Sequence, residues 1–220
     1  MFRFFVNEKI GNHFILDEQT LNHIKVARIR NEMFICIYDQ KFYECVLETN
    51  KALIKRLIDE NHEFTGEVIL GVALIKLKRF EWVIQKAAEL GVTKLIPMIS
   101  QNVNISHHNL KQRMMRWQTI SKNACEQAFR NQIMDVMPIS EFNEVLTLNV
   151  PHKFIAHEQE TSAVNLTFLP NSLFLIGPEG GFTEQEINHA KALSFKSINL
   201  GKRILRSETA ALFVLSRIND

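Results

Sequence analysis

Three glycines, a proline and a carboxylate fill five consecutive positions, Gly177-Pro178-Glu179-Gly180-Gly181. An apolar run, SLFLI (172–176), leads straight into them. Beyond them Thr183, with Glu186 three residues on, has the spacing of a capping box that opens a helix. The pattern predicts a loop between the carboxyl end of a strand and a helix N-terminus, where open α/β sheets bind ligands. Glycine at such a place lets a ligand approach bare backbone. The loop is not built for a phosphate: no G-x-x-x-x-G-K-S/T occurs, no G-x-G-x-x-G follows the first strand, and Glu179 would repel an anion. A second loop of the same kind follows in INLGKRILRSETAA (198–211). There Gly201, Lys202, Arg203, Arg206 and Glu208 crowd around Ile204 and Leu205, an apolar wall inside a charged segment. If the strands feeding the two loops are neighbours, both loops fall on one sheet edge.

The rest of the chain must hold these loops in place. EVILGVALI (67–75) is a nearly unbroken apolar run, as in a strand buried on both faces. In KRFEWVIQKAAEL (78–90), Phe80, Val83, Ile84, Ala87 and Ala88 recur at helical spacing, and Gly91 supplies a C-terminal stop. Further strands are predicted over 94–100, 134–139, 153–158, 172–176 and 196–200. Helices are predicted over 109–130, 139–146, 184–194 and from 207. Such alternation indicates an α/β layer with a mostly parallel sheet. The first 65 residues have a different rhythm. Short apolar and aromatic runs over 2–6, 13–16, 34–39 and 42–48 predict a small β-rich unit with one short helix at 18–28. Asp39-Gln40, between the last two runs, predicts a hairpin without the usual glycine. The boundary this implies separates a β-rich domain, 1–66, from an α/β domain, 67–220.

Composition narrows the classes. The chain has 220 residues, 46% apolar and 23% charged, which excludes disorder. No apolar run is long enough for a membrane helix. The N-terminal residues do not have the pattern of a secretory leader, so a cytoplasmic location is expected. Cys36, Cys45 and Cys125 are too few and too scattered for a disulfide framework or a zinc site, and no metal is expected. The net charge of +2 hides an uneven distribution. Residues 1–65 hold 9 Lys/Arg against 10 Asp/Glu, residues 66–130 hold 10 against 4, and residues 131–220 hold 7 against 10. A basic middle third is the footprint of a polyanionic partner. Within it the 109–130 helix carries Lys111, Arg113, Arg116 and Lys122 around a stripe of Leu110, Met114, Trp117, Ser121, Ala124 and Ala128. Those four bases are candidate phosphate contacts; a solvated face over a buried stripe is the plainer reading.

Four segments, KRFEWVIQKAAELGV (78–92), EQAFR (126–130), IGPEGGF (176–182) and LGKRILRSETA (200–210), resemble the RsmE family of ribosomal RNA small-subunit methyltransferases, of the SPOUT class. The resemblance implies methylation at N3 of a uridine in 16S ribosomal RNA. It implies a PUA-like, RNA-binding β-barrel at the N-terminus and a C-terminal α/β domain threaded into a trefoil knot. It implies S-adenosylmethionine as cofactor, held at Gly177, Glu179, Gly180, Gly181, Leu200, Gly201, Ile204 and Leu205. It implies a homodimer acting on 16S ribosomal RNA in the small ribosomal subunit. The chain departs from the family at Phe129, where a small residue is usual, at Ser207, where threonine is common, and over NVNISHH (102–108). The residues agree with that cofactor, which has an apolar adenine, a ribose, a sulfonium cation and no phosphate.

The chemistry so implied asks for particular groups. Uridine N3 carries a proton and is a poor nucleophile at neutral pH. A fixed cation beside the flanking carbonyl oxygens would stabilise the anion formed when that proton leaves. Arg206, at the edge of the cofactor loop, is the first candidate, and Arg130, which closes EQAFR and could act from the partner subunit, is the second. Glu208 is the nearest carboxylate; it serves either catalysis or the helix N-terminus. Two other readings share the fold: a ribose 2′-hydroxyl methyltransferase, and a non-catalytic RNA-binding assembly protein. A small-molecule α/β enzyme would leave the β-rich unit and the basic block without a task.

Overall fold

The computed structural model describes the whole chain apart from residues 31, 105–109, 162–166 and 220, and apart from the side chains at 110 and 111. The chain divides into two compact units. One comprises Met1–Glu63 with Cys125–Ile133, the other Phe64–Ala124 with Met134–Asp220. Sequence rhythm predicts a single cut between 66 and 67. It does not foresee the return of 125–133 to the first unit.

The first unit is a six-stranded sheet with one helix. Its strands are β1 (Arg3–Phe5), β2 (Glu8–Ile10), β3 (His13–Ile15), β4 (Phe34–Tyr38), β5 (Lys41–Glu48) and β6 (Lys51–Ile58), in the order β1-β4-β5-β6-β3-β2. The helix α1 (Glu18–Val26) starts at Asp17, whose carboxylate accepts from Thr20 N. Phe4, Phe14, Ile24, Phe34, Cys36 and Cys45 form its core. Asp39 and Gln40 make the expected hairpin, with φ of 49° and 57°. That geometry is the two-residue turn in which both central residues are left-handed. Two strands have no clear signal in the sequence. In β6, Lys51, Lys55 and Arg56 break the alternation and only Ala52 is buried. Pairing with β5 and β3 makes it a strand. All three cysteines are buried and outside any disulfide. The hydrogen bond with Cys45, and then burial, push the Cys36 thiol far above its ordinary range.

The 125–133 segment is woven into this unit by polar contacts. Phe5 N donates to Glu126 Oε1 at 3.0 Å, and Arg3 Nη1 donates to Gln127 O at 2.7 Å. Asn131 Nδ2 donates to Gln40 O and Glu60 O, and His62 N donates to Asn131 Oδ1. The Phe129 ring lies 4.4 Å from that of Phe42.

The second unit is a parallel sheet sandwiched by helices. Its elements are β7 (Val68–Ala73), α2 (Leu77–Glu89), β8 (Lys94–Ile99), α3 (Leu110–Gln127, whose last residues belong to the first unit), β9 (Asp135–Val136), β10 (Ser140–Glu141), α4 (Phe142–Leu146), β11 (His152–Ala156), β12 (Ser172–Ile176), α5 (Glu184–Ala192), β13 (Lys196–Ile198) and α6 (Ser207–Leu215). The strand order is β10-β8-β7-β12-β11-β13, with β9 beside β8, and every pairing is parallel. Every residue of β7 and β12 is buried, as the continuous apolar runs require. One face of the sheet packs Ile69, Ile96, Leu173 and Leu175 with Phe142, Val145 and Ile187 from α4 and α5. Among the described residues, no helix is long and apolar enough to cross a membrane.

The long helix ends three residues earlier than its sequence suggests. Phe129 takes φ 59°, and Arg130 N bonds to Cys125 O at 3.1 Å. That bond spans six residues and closes the helix with a left-handed residue at the position usually held by glycine. No glycine marks this end, so periodicity carries the prediction to 130.

Candidate functional site

Parallel strands point their carboxyl ends to one edge of the sheet, and there β12, β11 and β13 lie side by side. The two glycine loops do not come from adjacent strands: β12 and β13 each pair with β11 and flank it. That places a third loop, 157–160, between them. The three loops wall a cavity of about 340 Å³.

The β12 loop is a tight turn in which Gly181 N donates to Pro178 O at 3.0 Å and Gly181 has φ 68°. A Cβ on Gly177 would come within 3.2 Å of the Phe182 ring, and one on Gly180 within 3.3 Å of Asn102. Asn102 Nδ2 donates to the carbonyls of both Gly180 and Gly181 at 3.1 Å. The helix start beyond it is the predicted capping box: Glu186 N donates to Thr183 Oγ1, and Thr183 N donates to Glu186 Oε2 at 2.8 Å. Gln101 N donates to the other oxygen of Glu186 at 2.9 Å, so the end of β8 and the start of α5 share one carboxylate.

The β13 loop is shaped by Asn199. Its Oδ1 accepts from Gly201 N at 2.7 Å, and its Nδ2 donates to the carbonyls of Glu158 and Glu160, both at 2.8 Å. One side chain therefore ties the second loop to the third. Gly201 sits at φ 120°, where a side chain is strained, and a Cβ there would point into open space. Ile204 is 83% exposed although strongly apolar, an uncovered patch at the cavity wall.

All eight residues expected at a cofactor, Gly177, Glu179, Gly180, Gly181, Leu200, Gly201, Ile204 and Leu205, line this cavity. Arg206 lines it too, exposed, as the N-cap of α6 with no side-chain cap bond. Glu208, in the first turn of α6, is not among the lining residues. One of its oxygens lies 3.7 Å from Arg79 Nε, and the other is buried with no hydrogen-bond partner. Ala156, His157, Glu158 and Gln159 also line the cavity and have no motif in the sequence. The signal that could have found them is positional: KFIAHE is a predicted strand, and its carboxyl end must share the edge of the other two.

Arg130 is not among the residues that line this cavity. It is 3% exposed, belongs to the first unit, and pairs with Glu63 through Nη2 and Nε. The basic helix is mixed. Arg116 is two-thirds exposed but engages Glu81 in a two-pronged pair that raises its pKa through the hydrogen bond and the attraction. Arg113 and Lys122 are half-buried. The Lys111 side chain lies outside the described residues, as does most of NVNISHH.

Comparison with known proteins agrees with this architecture. A family described as RNA methyltransferase domain matches residues 62–219. The ribosomal RNA small subunit methyltransferase E of Mesomycoplasma hyopneumoniae is 46% identical, over 99% of this chain and 98% of its own length. That of Bacillus subtilis is 31% identical, over 93% and 88%. A crystal structure of the Neisseria gonorrhoeae ribosomal RNA small subunit methyltransferase E bound to S-adenosyl methionine superposes with a TM-score of 0.87 at 31% identity, covering 98% of this chain and 95% of that one. The chain belongs to the RNA methyltransferase domain family and, within it, to the ribosomal RNA small subunit methyltransferase E proteins.

Proposed function

We propose that this chain methylates N3 of a uridine in 16S ribosomal RNA, with S-adenosylmethionine as methyl donor. The observation that carries the reading is the three-loop cavity, whose lining includes every cofactor position that the family resemblance implies. The residues fit that cofactor. A side chain at Gly177 or Gly180 would crowd Phe182 or Asn102, so glycine keeps the loop beside the cavity tight. Leu200, Ile204 and Leu205 offer apolar surface for adenine, and Glu158 and Glu179 offer acceptors for hydroxyl or ammonium groups. Three carboxylates, Glu158, Glu179 and Glu184, line the cavity against two arginines, Arg203 and Arg206, a balance that suits a cation better than a phosphate ester. When bound, the cofactor supplies an activated methyl group on a sulfonium.

The protein's part is to place the acceptor and lower the cost of ionising it. Arg206 keeps its charge at any working pH, so it acts as an electrostatic stabiliser and not as a base. Its N–H groups, donated to the oxygens flanking N3, would favour loss of the N3 proton and hold the anion in line with the methyl group. The exposed position of Arg206 at the cavity rim supports that role. Glu208, turned toward Arg79, is read as holding the loop rather than as touching substrate.

RNA would meet the basic middle third, with Arg113, Arg116, Lys111 and Lys122 as phosphate contacts, and the β-rich unit would extend the footprint. The working form is read as a homodimer in the cytoplasm, acting on small-subunit particles. The test is methylation of such particles with labelled S-adenosylmethionine, followed by mapping of the modified nucleoside. A methyl on uracil N3 is the expected result. A methyl on the ribose would replace this reading with 2′-hydroxyl chemistry, and no transfer despite cofactor binding would leave a binding protein.

A further inference from the structure

The start of α2 goes against the helix dipole. Lys76 is its N-cap, Lys78 and Arg79 follow, the first turn holds no acidic residue, and no side chain caps it. Negative charge is what a helix N-terminus favours. Arg79 is compensated from outside the helix. Its Nη1 donates to Glu179 Oε1 at 3.1 Å, and its Nε lies 3.7 Å from Glu208 Oε1. Glu179 sits in the β12 loop. Glu208 sits in the first turn of α6, directly behind the β13 loop. One guanidinium therefore joins the β12 loop of the cavity to the first turn of α6 without lining the cavity itself. Among the described residues, Arg79 is the only cation within 4.0 Å of Glu208. The Glu208 side chain is 14% exposed, and its second oxygen has no hydrogen-bond partner.

We infer that Arg79 is a positioning residue for the cofactor: by bridging Glu179 and Glu208 it fixes the β12 loop against the start of α6, which follows the β13 loop, and offsets carboxylate charge beside the cavity. The inference rests on the reading that this cavity takes S-adenosylmethionine. The fork of an arginine can address two carboxylates at once, which a lysine ammonium does less well. Two effects follow when Arg79 is removed. Loss of spacing penalises any ligand of the cavity. The uncovered negative charge favours a cationic ligand over a neutral one. S-adenosylmethionine carries a sulfonium, whereas S-adenosylhomocysteine, the demethylated product, has a neutral thioether at the same atom. Arg79 thus sets how strongly the site prefers donor over spent product.

Calorimetric titration of the full chain with both ligands tests this. Arg79→Ala is expected to raise Kd for S-adenosylmethionine by about threefold and for S-adenosylhomocysteine by about twofold more again, the scale of a partly exposed charge pair. Arg79→Lys keeps the charge, so it should restore the wild-type ratio of the two constants while leaving both weaker. In a Glu179→Gln background, Arg79→Ala should cost less than in the wild type, because part of its partner is already gone. Equal weakening of both ligands in Arg79→Ala would reduce Arg79 to a structural contact and overturn the inference. Wild-type binding in a folded Arg79→Ala protein would do the same. Should Arg79→Ala not fold, Glu208→Gln weakens the other half of the bridge at a residue that does not line the cavity, and unchanged binding of both ligands there is equally decisive. A wild-type protein that binds neither ligand would remove the cofactor reading as well, which separates the two failures.

Discussion

The β12 and β13 loops and the 125–133 segment carry motifs of equal prominence in the sequence, yet the fold uses them in opposite ways. In the segment every charge is turned inward: Glu126 takes a strand amide of β1, Arg130 pairs with Glu63, and Asn131 collects carbonyls. In the loops, Arg206 is exposed, Gly181 and Gly201 leave open space, and Ile204 is uncovered. A motif-borne arginine is open to a ligand only where no carboxylate of its own chain already engages it. Arg130 has a buried carboxylate to neutralise, whereas Arg206 caps a helix with nothing but its backbone.

Substitutions can break this contrast. The largest expected effect is at Gly201. Its φ of 120° disfavours any side chain, and Gly201→Val adds a branched one at the cavity wall. Cofactor binding should disappear by calorimetry while circular dichroism stays that of the native fold. Arg130→Ala should act on stability alone. It strands Glu63 in a buried site, and losing one partner of such a pair costs about 3 kcal/mol or more. Chemical denaturation should show the loss, and the surviving folded fraction should bind cofactor as the wild type does. A folded, stable Arg130→Ala protein with a lowered chemical rate would return Arg130 to the active site.

Arg206→Ala should do the reverse. Turnover should fall by roughly a hundredfold, the scale of removing one preorganised stabiliser, with stability and cofactor affinity nearly unchanged. Raising the pH should recover part of the rate, because more uridine ionises unaided as protons become scarce. Unaltered single-turnover rates on saturating RNA would take Arg206 out of the mechanism. The smallest effect belongs to the basic helix. Replacing Arg113 and Arg116 together should weaken RNA binding and flatten its salt dependence by about one to two units of log–log slope. The lower end is expected because Glu81 already occupies Arg116. Affinity for RNA that does not vary with salt would contradict the electrostatic account.

Local chemistry made much of the site legible. Glycine density between an apolar strand and a capping box located the β12 loop, and charge crowding around Gly201 located the β13 loop. The His157 loop carries no such mark. It is functional ground only because β11 lies between β12 and β13, a fact of sheet order that no local pattern encodes. The end of α3 was hidden for a related reason: Phe129 adopts the left-handed turn that glycine would have announced. β6 was hidden because its alternation is broken by charge, and pairing on both sides supplies what pattern lacks.

Short-range features were set by the sequence itself. Strand and helix periods, the Thr183–Glu186 cap, the Asp39-Gln40 hairpin and the two glycine loops depend on residues within a few positions of one another, so they can be read along the chain. The tertiary structure alone decided which loops meet, that Arg130 pairs with Glu63, and that Arg79 reaches both the β12 loop and the start of α6. Those outcomes join residues 67 to 129 positions apart, and whether a charge is satisfied or left open depends on what the fold brings beside it.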